Sequence, residues 1–253
     1  SIGRTDESGP ARFGRAGRGV EFDRQRAREE RMEMTYDLEV VRRYLPFLLK
    51  GIGVTFEFTL VSFVVGGILG LLIGLGRIQK NPFLRLPCLW YTDFIRGTPL
   101  LAQIYLIHFG LPQVLGYKPV GSVDAMVALT LNCAAYMAEI WRGAIESVDK
   151  GQMEASRSLG MSYTQSMNHV ILPQAFKRAI PPLGNEFIAL LKESCLVSVI
   201  GLEDLMMRAN MMSGRSFHPF EAYFTVALIY LAMTLTFSRI VNRVEGGLSH
   251  DRN

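Results

Sequence analysis

The chain has little of what most catalytic chemistry requires. It holds three cysteines, Cys88, Cys133 and Cys195, each in or beside an apolar stretch and none in CxxC spacing. That pattern argues against a disulfide framework or a thiolate metal site and reads as buried free thiols. The four histidines, His108, His169, His218 and His250, are scattered without a pair at metal-ligand spacing, so no metal site is expected. A GxxxxGK[ST] loop is missing, and with it any phosphate cradle. No apolar segment carries an HExxH or a His/Asp/Ser cluster, which argues against an intramembrane enzyme. The formal net charge of +4 is small, and no basic stripe with interleaved aromatics appears, so nucleic acid is not an expected partner.

What the chain does have is apolar sequence gathered in blocks. Hydrophobic residues make up 49% of it. A hydrocarbon core of about 30 Å is crossed by about 20 helical residues, so long blocks with few charges read as membrane spans. The expected spans are 52–76, 89–111, 123–141, 187–202 and 222–240, within a membrane domain over 51–245. Residues 1–35 are Gly- and Arg-rich with almost no apolar content, and read as a disordered extension. Met32 and Met34 are plausible starts, so the extension reads as a vector-derived remnant or an upstream translation, with a basic regulatory tail as the functional alternative. Residues 36–50 alternate Leu38, Val41, Tyr44, Leu45 and Leu48 with Arg42, Arg43 and Lys50. They predict a short amphipathic helix in the lipid interface, bent at Pro46. A polar tail covers 246–253. In the first span Gly66, Gly70 and Gly74 recur every fourth residue, the small-xxx-small spacing that lets two membrane helices approach closely.

Positive charges in short loops set orientation. Arg77, Lys80 and Arg85 follow the first span. Arg142, Lys150, Arg157, Lys177 and Arg178 lie in the loop 142–182, and Arg239, Arg243 and Arg252 near the C-terminus. The alternate loops hold only Lys118, Arg208 and Arg215. This bias predicts a multi-pass membrane protein with the 142–182 loop and C-terminus in the cytoplasm and the N-terminus outside. The Arg-rich first thirty residues run against it.

One polar stretch stands out between the apolar blocks: EASRSLGMSYTQSMNHVILP, Glu154 to Pro173. Good helix formers run to Leu159, and Gly160 supplies a C-terminal stop. Ser162 with Gln165 has the form of a capping box that starts a second helix. That helix is expected to show Tyr163, Met167 and Val170–Ile171 on one face and to be limited by Pro173. A later pair, Pro181-Pro182, reads as a sharp breaker ahead of the fourth span.

The stretch resembles the EAA loop of ATP-binding-cassette (ABC) importer permeases: Glu-Ala-Ala, three residues, Gly, nine residues, Ile-x-Leu-Pro. Here it is Glu154-Ala155-Ser156, Gly160 and Val170-Ile171-Leu172-Pro173, with Ser156 and Val170 as the departures. Phe94 to Leu101, FIRGTPLL, is similar to a segment of the polar amino-acid permeases. So are NCAAYMAEIWRGAI, from Asn132, and PPLGNEFIALLKESCL, from Pro181. Lys192-Glu193-Ser194-Cys195 stands where that family often has Lys-Asp-Thr-Ser. The resemblance implies an all-α, type I ABC importer permease-like fold of five transmembrane helices with a cytoplasmic coupling loop. It further implies a second permease subunit, alike or different, cytoplasmic ABC ATPase subunits that bind ATP and Mg, and a periplasmic or extracellular solute-binding protein. Glu154, Ala155, Ser156, Gly160, Tyr163, Met167, Leu172 and Pro173 would form the ATPase-coupling loop.

Ionisable residues inside spans are costly unless paired or facing a wet path. Arg96, Glu139, Glu186, Lys192 and Glu193 are therefore the candidates for a translocation pathway. Asp93, Arg96, Glu139 and Glu186 also lie near expected span ends, where interfacial pairing is an adequate explanation. The readings that stay open are a permease for another small solute, such as an opine or a sulfur-containing amino acid, and a non-transporting scaffold or sensor.

Overall fold

The computed structural model describes residues 36–250, with side chains to residue 247. The expected disordered extension 1–35 lies outside the described residues. Asp37 Oδ1 accepts the Glu39 amide at 2.9 Å ahead of the first helix. Among the described residues there are helices and turns and no strand.

Helix α1 (Leu38–Arg77) runs unbroken for 40 residues. The expected separate interfacial helix over 36–50 is thus continuous with the first span, and Pro46 lies inside it. A proline in a helix removes one hydrogen bond, and the long ladder on either side carries α1 through. At 1.5 Å per residue the helix is about 60 Å long, roughly twice a hydrocarbon core. One face is small and buried: Gly51, Thr55, Thr59, Ser62, Gly66, Gly70 and Gly74.

Helix α2 (Pro82–Arg96) is started by Asn81, whose Oδ1 accepts the Phe83 amide at 3.0 Å. It ends at Gly97, and α3 (Leu100–Tyr105) begins after Pro99. The expected span 89–111 is therefore two helices with a break at Gly97-Thr98-Pro99. Proline has no N–H to donate and disfavours helical geometry in the residue before it, which forces the break. Gln103 fills it. Its Nε2 donates to Ile95 O at 2.7 Å, Thr98 O at 3.1 Å and Thr98 Oγ1 at 2.9 Å, while its Oε1 accepts from Asn132 Nδ2 at 3.1 Å. Irregular backbone at membrane depth survives only where its polar groups are satisfied in this way.

A π-turn, Leu106–Gly110, leads into α4 (Leu111–Leu115), which Gly116 closes at φ 73°. Helix α5 (Gly121–Glu146) packs extensively on α8. Six of its fourteen buried positions are alanine, so neighbours come close there. Helices α6 (Lys150–Ser158) and α7 (Tyr163–Ser166) form the loop knob. A second π-turn, Met167–Ile171, joins α7 to α8 (Leu172–Glu193), and a 3₁₀ stretch, Ser194–Ile200, extends it. Helix α9 (Leu205–Ser216) is capped by Asp204 and precedes α10 (Pro219–His250). Phe187 of α8 meets Phe56 and Phe63 of α1 edge-on and Phe237 of α10 at a tilt, tying the three together.

Two proline expectations fail on α8. Pro173 does not end a helix: it sits in the first turn of α8, straight after the π-turn. There the Leu172 amide bonds back to Met167 O, five residues away, and the wider turn makes room for the proline ring. Pro181 and Pro182 break nothing either and lie inside α8. The carbonyls they leave unpaired belong to Lys177 and Arg178, exposed and half-exposed residues where water can serve them. The fourth apolar segment is consequently helical from Leu172, not from 187.

By length and composition, α1, α5 and α10 can each cross a membrane, and 100–115 is a shorter apolar segment. The remaining crossings expected from the sequence fall on α2 with α3 and on α8 with its 3₁₀ extension, which are broken or partly polar.

Candidate functional site

The knob between α5 and α8 is built from local hydrogen bonds. Asp149 Oδ1 accepts the Gly151 amide at 2.7 Å and starts α6. Gly160 closes it at φ +87°, a left-handed conformation that glycine adopts without cost. Ser162 and Gln165 form the reciprocal cap: Gln165 N donates to Ser162 Oγ at 3.2 Å, and Ser162 N to Gln165 Oε1 at 2.8 Å. Arg157 reaches across the turn to Met161 O at 2.9 Å. The Arg178 guanidinium donates to Ser147 O and, at 3.2 Å, to Ser147 Oγ, pinning the base of the knob to α8.

This places the expected loop residues in two groups. Glu154, Ala155, Gly160, Tyr163 and Pro173 are exposed. Ser156 and Met167 are buried, and Leu172 is half-buried. The expected common face of Tyr163, Met167 and Val170–Ile171 divides accordingly. Met167 and Ile171 turn into the main core with Trp141 and Ala175, while Tyr163 stays 48% exposed. Ser156 fits at a buried small position because its hydroxyl bonds to Met153 O within its own helix, at 2.9 Å. Leu159, 84% exposed at the tip, escaped the sequence reading. An apolar residue just before the helix-stopping glycine was the available signal. The result is a rigid tip with Leu159 and Tyr163 outward and a root of Met167 and Ile171 in the bundle.

Gly66, Gly70 and Gly74 face α5. A methyl group on them would meet Cys133 Cβ at 3.1 Å, Met137 Cβ at 2.6 Å and Ala138 O at 2.9 Å respectively. Gly51 makes a similar approach to the backbone of Leu205 in α9.

The charged candidates form a series along α5 and α8. Glu139 is the hub. Arg77, from the end of α1, pairs with its Oε1 and also donates to Thr92. Arg142 donates to Oε2 from Nε at 3.0 Å and from NH2 at 2.8 Å, and also holds Glu146. Arg96 lies 3.5 Å from Oε1 and 5.3 Å above the Tyr136 ring. On α8, Asn185, Glu186, Lys192 and Glu193 fall on one helical face, exposed or half-exposed. A polar stripe of this kind is costly against lipid. Arg96 and Glu139 are brought together, and among the described residues Glu186 joins no ion pair. Lys192 and Glu193 stand farther along α8 and join no ion pair among the described residues. His108 and Asp124 form a further pair at 2.7 Å between the first π-turn and the start of α5. It too went unread in the sequence, since the two residues are sixteen apart.

The profile of the binding-protein-dependent transport system inner membrane component family matches residues 66–250. The arginine transport system permease protein ArtQ of Bacillus subtilis is 40% identical over 84% of this chain and 97% of its own length. The probable amino-acid ABC transporter permease protein PatM of Vibrio harveyi is 42% identical over 85% of this chain and 98% of its own. Among solved structures, a chain of an amino acid ABC transporter crystallised with histidines matches with TM-score 0.80 and 42% identity. It covers 84% of this chain and 99% of that one. The inward-facing MetNI methionine ABC transporter matches with TM-score 0.71 at 21% identity, over 81% of this chain and 98% of the other, a likeness of fold.

Proposed function

Since the chain belongs to the binding-protein-dependent transport system inner membrane component family, we propose that it is the permease subunit of an ATP-driven importer of polar amino acids. The relatives named for arginine and amino-acid transport support the substrate class, as do FIRGTPLL and the polar stripe on α8. The observation that carries the coupling role is the knob. It is a capped helix–turn–helix whose exposed tip, Leu159 and Tyr163, is joined through Met167 and Ile171 to the core that holds α5 and α8.

The chain supplies no phosphate loop, so ATP and Mg belong to cytoplasmic ATPase subunits. Their closure would pull on the tip, and the buried root would pass the displacement to α5 and α8. Two-state rocking of packed helices is an established route for such coupling. A second permease subunit would complete the path, and a solute-binding protein would deliver the substrate from the far side. The charge bias of the loops puts the knob and C-terminus in the cytoplasm and the N-terminus outside. Glu154, Ala155, Gly160 and Tyr163, with Leu159, would form the contact surface, and Arg96, Glu139, Glu186, Lys192 and Glu193 the polar path.

The test is co-purification with the cognate ATPase from membranes. The wild type should retain the ATPase, and Gly160→Arg or Leu159→Asp should lose it at least tenfold while still inserting and folding. Retention by both variants would remove the knob as the point of coupling.

A further inference from the structure

A second apolar core lies apart from the one that roots the knob. Leu48 of α1, Leu205, Ala209 and Met212 of α9, and Ala222 and Val226 of α10 form it, with Phe47 packed against them. Arg77, at the end of α1, meets Glu139 close to the knob. Phe47 lies about 45 Å earlier along the same continuous helix, so this second core belongs to the opposite end of the molecule.

Two guanidiniums share one aromatic ring on its surface. Arg208 lies 4.8 Å and Arg215 5.6 Å from the Phe47 centroid. Their charges are not equivalent. Arg208 pairs with Glu203 at 2.8 Å and donates to Phe47 O at 3.3 Å. Arg215, in the last turn of α9, is exposed and joins no ion pair among the described residues. The ring holds that second cation in place without neutralising it.

Phe217 follows at φ 59°, the one non-glycine residue with positive φ among the described residues, and its side chain is 87% exposed. A bulky residue rarely adopts that conformation, and here it turns an aromatic ring outward beside Arg215. Below it an exposed apolar stripe descends α10: Phe220, Phe224, Leu228, Leu231 and Leu235, three or four residues apart on one face. Residues 222–238 carry no charge, and α10 is long and apolar enough to cross a membrane. The stripe therefore faces hydrocarbon, and its top falls at the bilayer boundary, where aromatic side chains are favoured. Arg215, just outside Phe217, stands at headgroup level.

We propose that Arg215, with Phe217 and the ring of Phe47, forms a binding site for the phosphate of an anionic phospholipid on the membrane face away from the knob. The planar guanidinium offers paired donors to phosphate oxygens. Its contact with Phe47 reduces the side-chain freedom lost on binding, and Phe217 lies against the adjoining acyl chains. The site anchors the second core to the bilayer while the knob works at the other end.

Bromolipid quenching reads the site directly. The full chain carrying Phe217→Trp and Trp90→Phe keeps the buried Trp141 as its other indole. It is purified with the subunits it retains and placed in phosphatidylcholine vesicles. An equal small fraction of acyl-brominated lipid is then supplied as phosphatidylglycerol or as phosphatidylcholine. The introduced tryptophan should be quenched at least threefold more by the brominated phosphatidylglycerol. Adding Arg215→Gln should abolish that preference while quenching by brominated phosphatidylcholine persists, and Arg215→Lys, which keeps the charge, should retain it. Quenching by neither lipid would put Phe217 outside the bilayer, against a protein partner, and overturn the site. Equal quenching by both lipids, a preference that survives Arg215→Gln, or its loss with Arg215→Lys as well would overturn it too.

Discussion

The glycine stripe on α1 yields the sharpest quantitative test, because neighbouring glycines make opposite predictions. An alanine at Gly70 would put its methyl 2.6 Å from Met137 Cβ, 2.9 Å from Ala134 O and 3.1 Å from Ala138 N. Carbon atoms rest at about 3.5–4.0 Å, so the helices must part locally by roughly 1 Å. Two of the three obstructing atoms are α5 backbone and cannot rotate away. Overpacking costs about 1–3 kcal/mol, and the upper part of that range applies here. Alanine returns up to about 1 kcal/mol as the better helix former, so Gly70→Ala should destabilise by about 2 kcal/mol. At Gly53 the added methyl meets nothing within 4 Å, so only the propensity gain remains. Gly67 falls between, since its nearest neighbour is the flexible Met137 Sδ at 3.3 Å. The two extremes differ by about 3 kcal/mol, which for a chain of this size is a melting difference of roughly 6–12 °C. Thermal melts of the three variants in one detergent, followed by tryptophan fluorescence, measure the order. A Gly70→Ala variant melting as high as Gly53→Ala would refute the close approach of α1 to α5.

Two further outcomes follow from hydrogen bonds at breaks in the helices. Gln103→Leu leaves Ile95 O, Thr98 O and Asn132 Nδ2 without the amide, at about 1–3 kcal/mol for each group left buried. The variant should melt well below the wild type, and equal stability would mean the break is held by something other than this amide. Ser162→Ala removes one arm of the capping box, a local loss of about 1 kcal/mol. Limited proteolysis should then cut faster in 159–163 while the melting temperature stays put; unchanged cleavage would show that the cap contributes nothing to the knob.

The sequence was most legible where a local signal decides local structure. Gly160 and the Ser162/Gln165 pair specify their turn and cap by side-chain chemistry within a few residues, and both form in the structure. The glycine spacing at 66, 70 and 74 announced a close-packed face because the period of a helix is fixed. Which helix fills that notch was not legible: contact with Cys133, Met137 and Ala138 depends on how the bundle closes. The same limit hid the Arg77–Glu139–Arg142 hub, whose members lie on α1 and α5, and the His108–Asp124 pair.

Proline is where local rules misled, and the structure shows what competes with them. The prolines read as helix stops, Pro173 and Pro181-Pro182, sit within α8, whereas Pro99, which was not read as a stop, marks a real interruption. The difference lies in the neighbours. At Pro99 the preceding Gly97-Thr98 pair has weak helix preference, and a side-chain amide from Gln103 stands ready to take the freed carbonyls. At Pro173 a π-turn places one extra residue ahead of the ring, and the same arrangement precedes Pro112 after Leu106–Gly110. Both turns read as five residues with a central histidine, then Leu-Pro: LIHFG-LP and MNHVI-LP. Away from water an unpaired peptide group costs several kcal/mol, and the Met167–Ile171 turn has its root in the core. An apolar segment therefore widens a turn to keep a proline in helix, and gives up the helix only where a polar side chain replaces the lost bonds. For such a chain, the sequence feature that marks a true interruption is the buried Gln or Asn nearby rather than the proline itself.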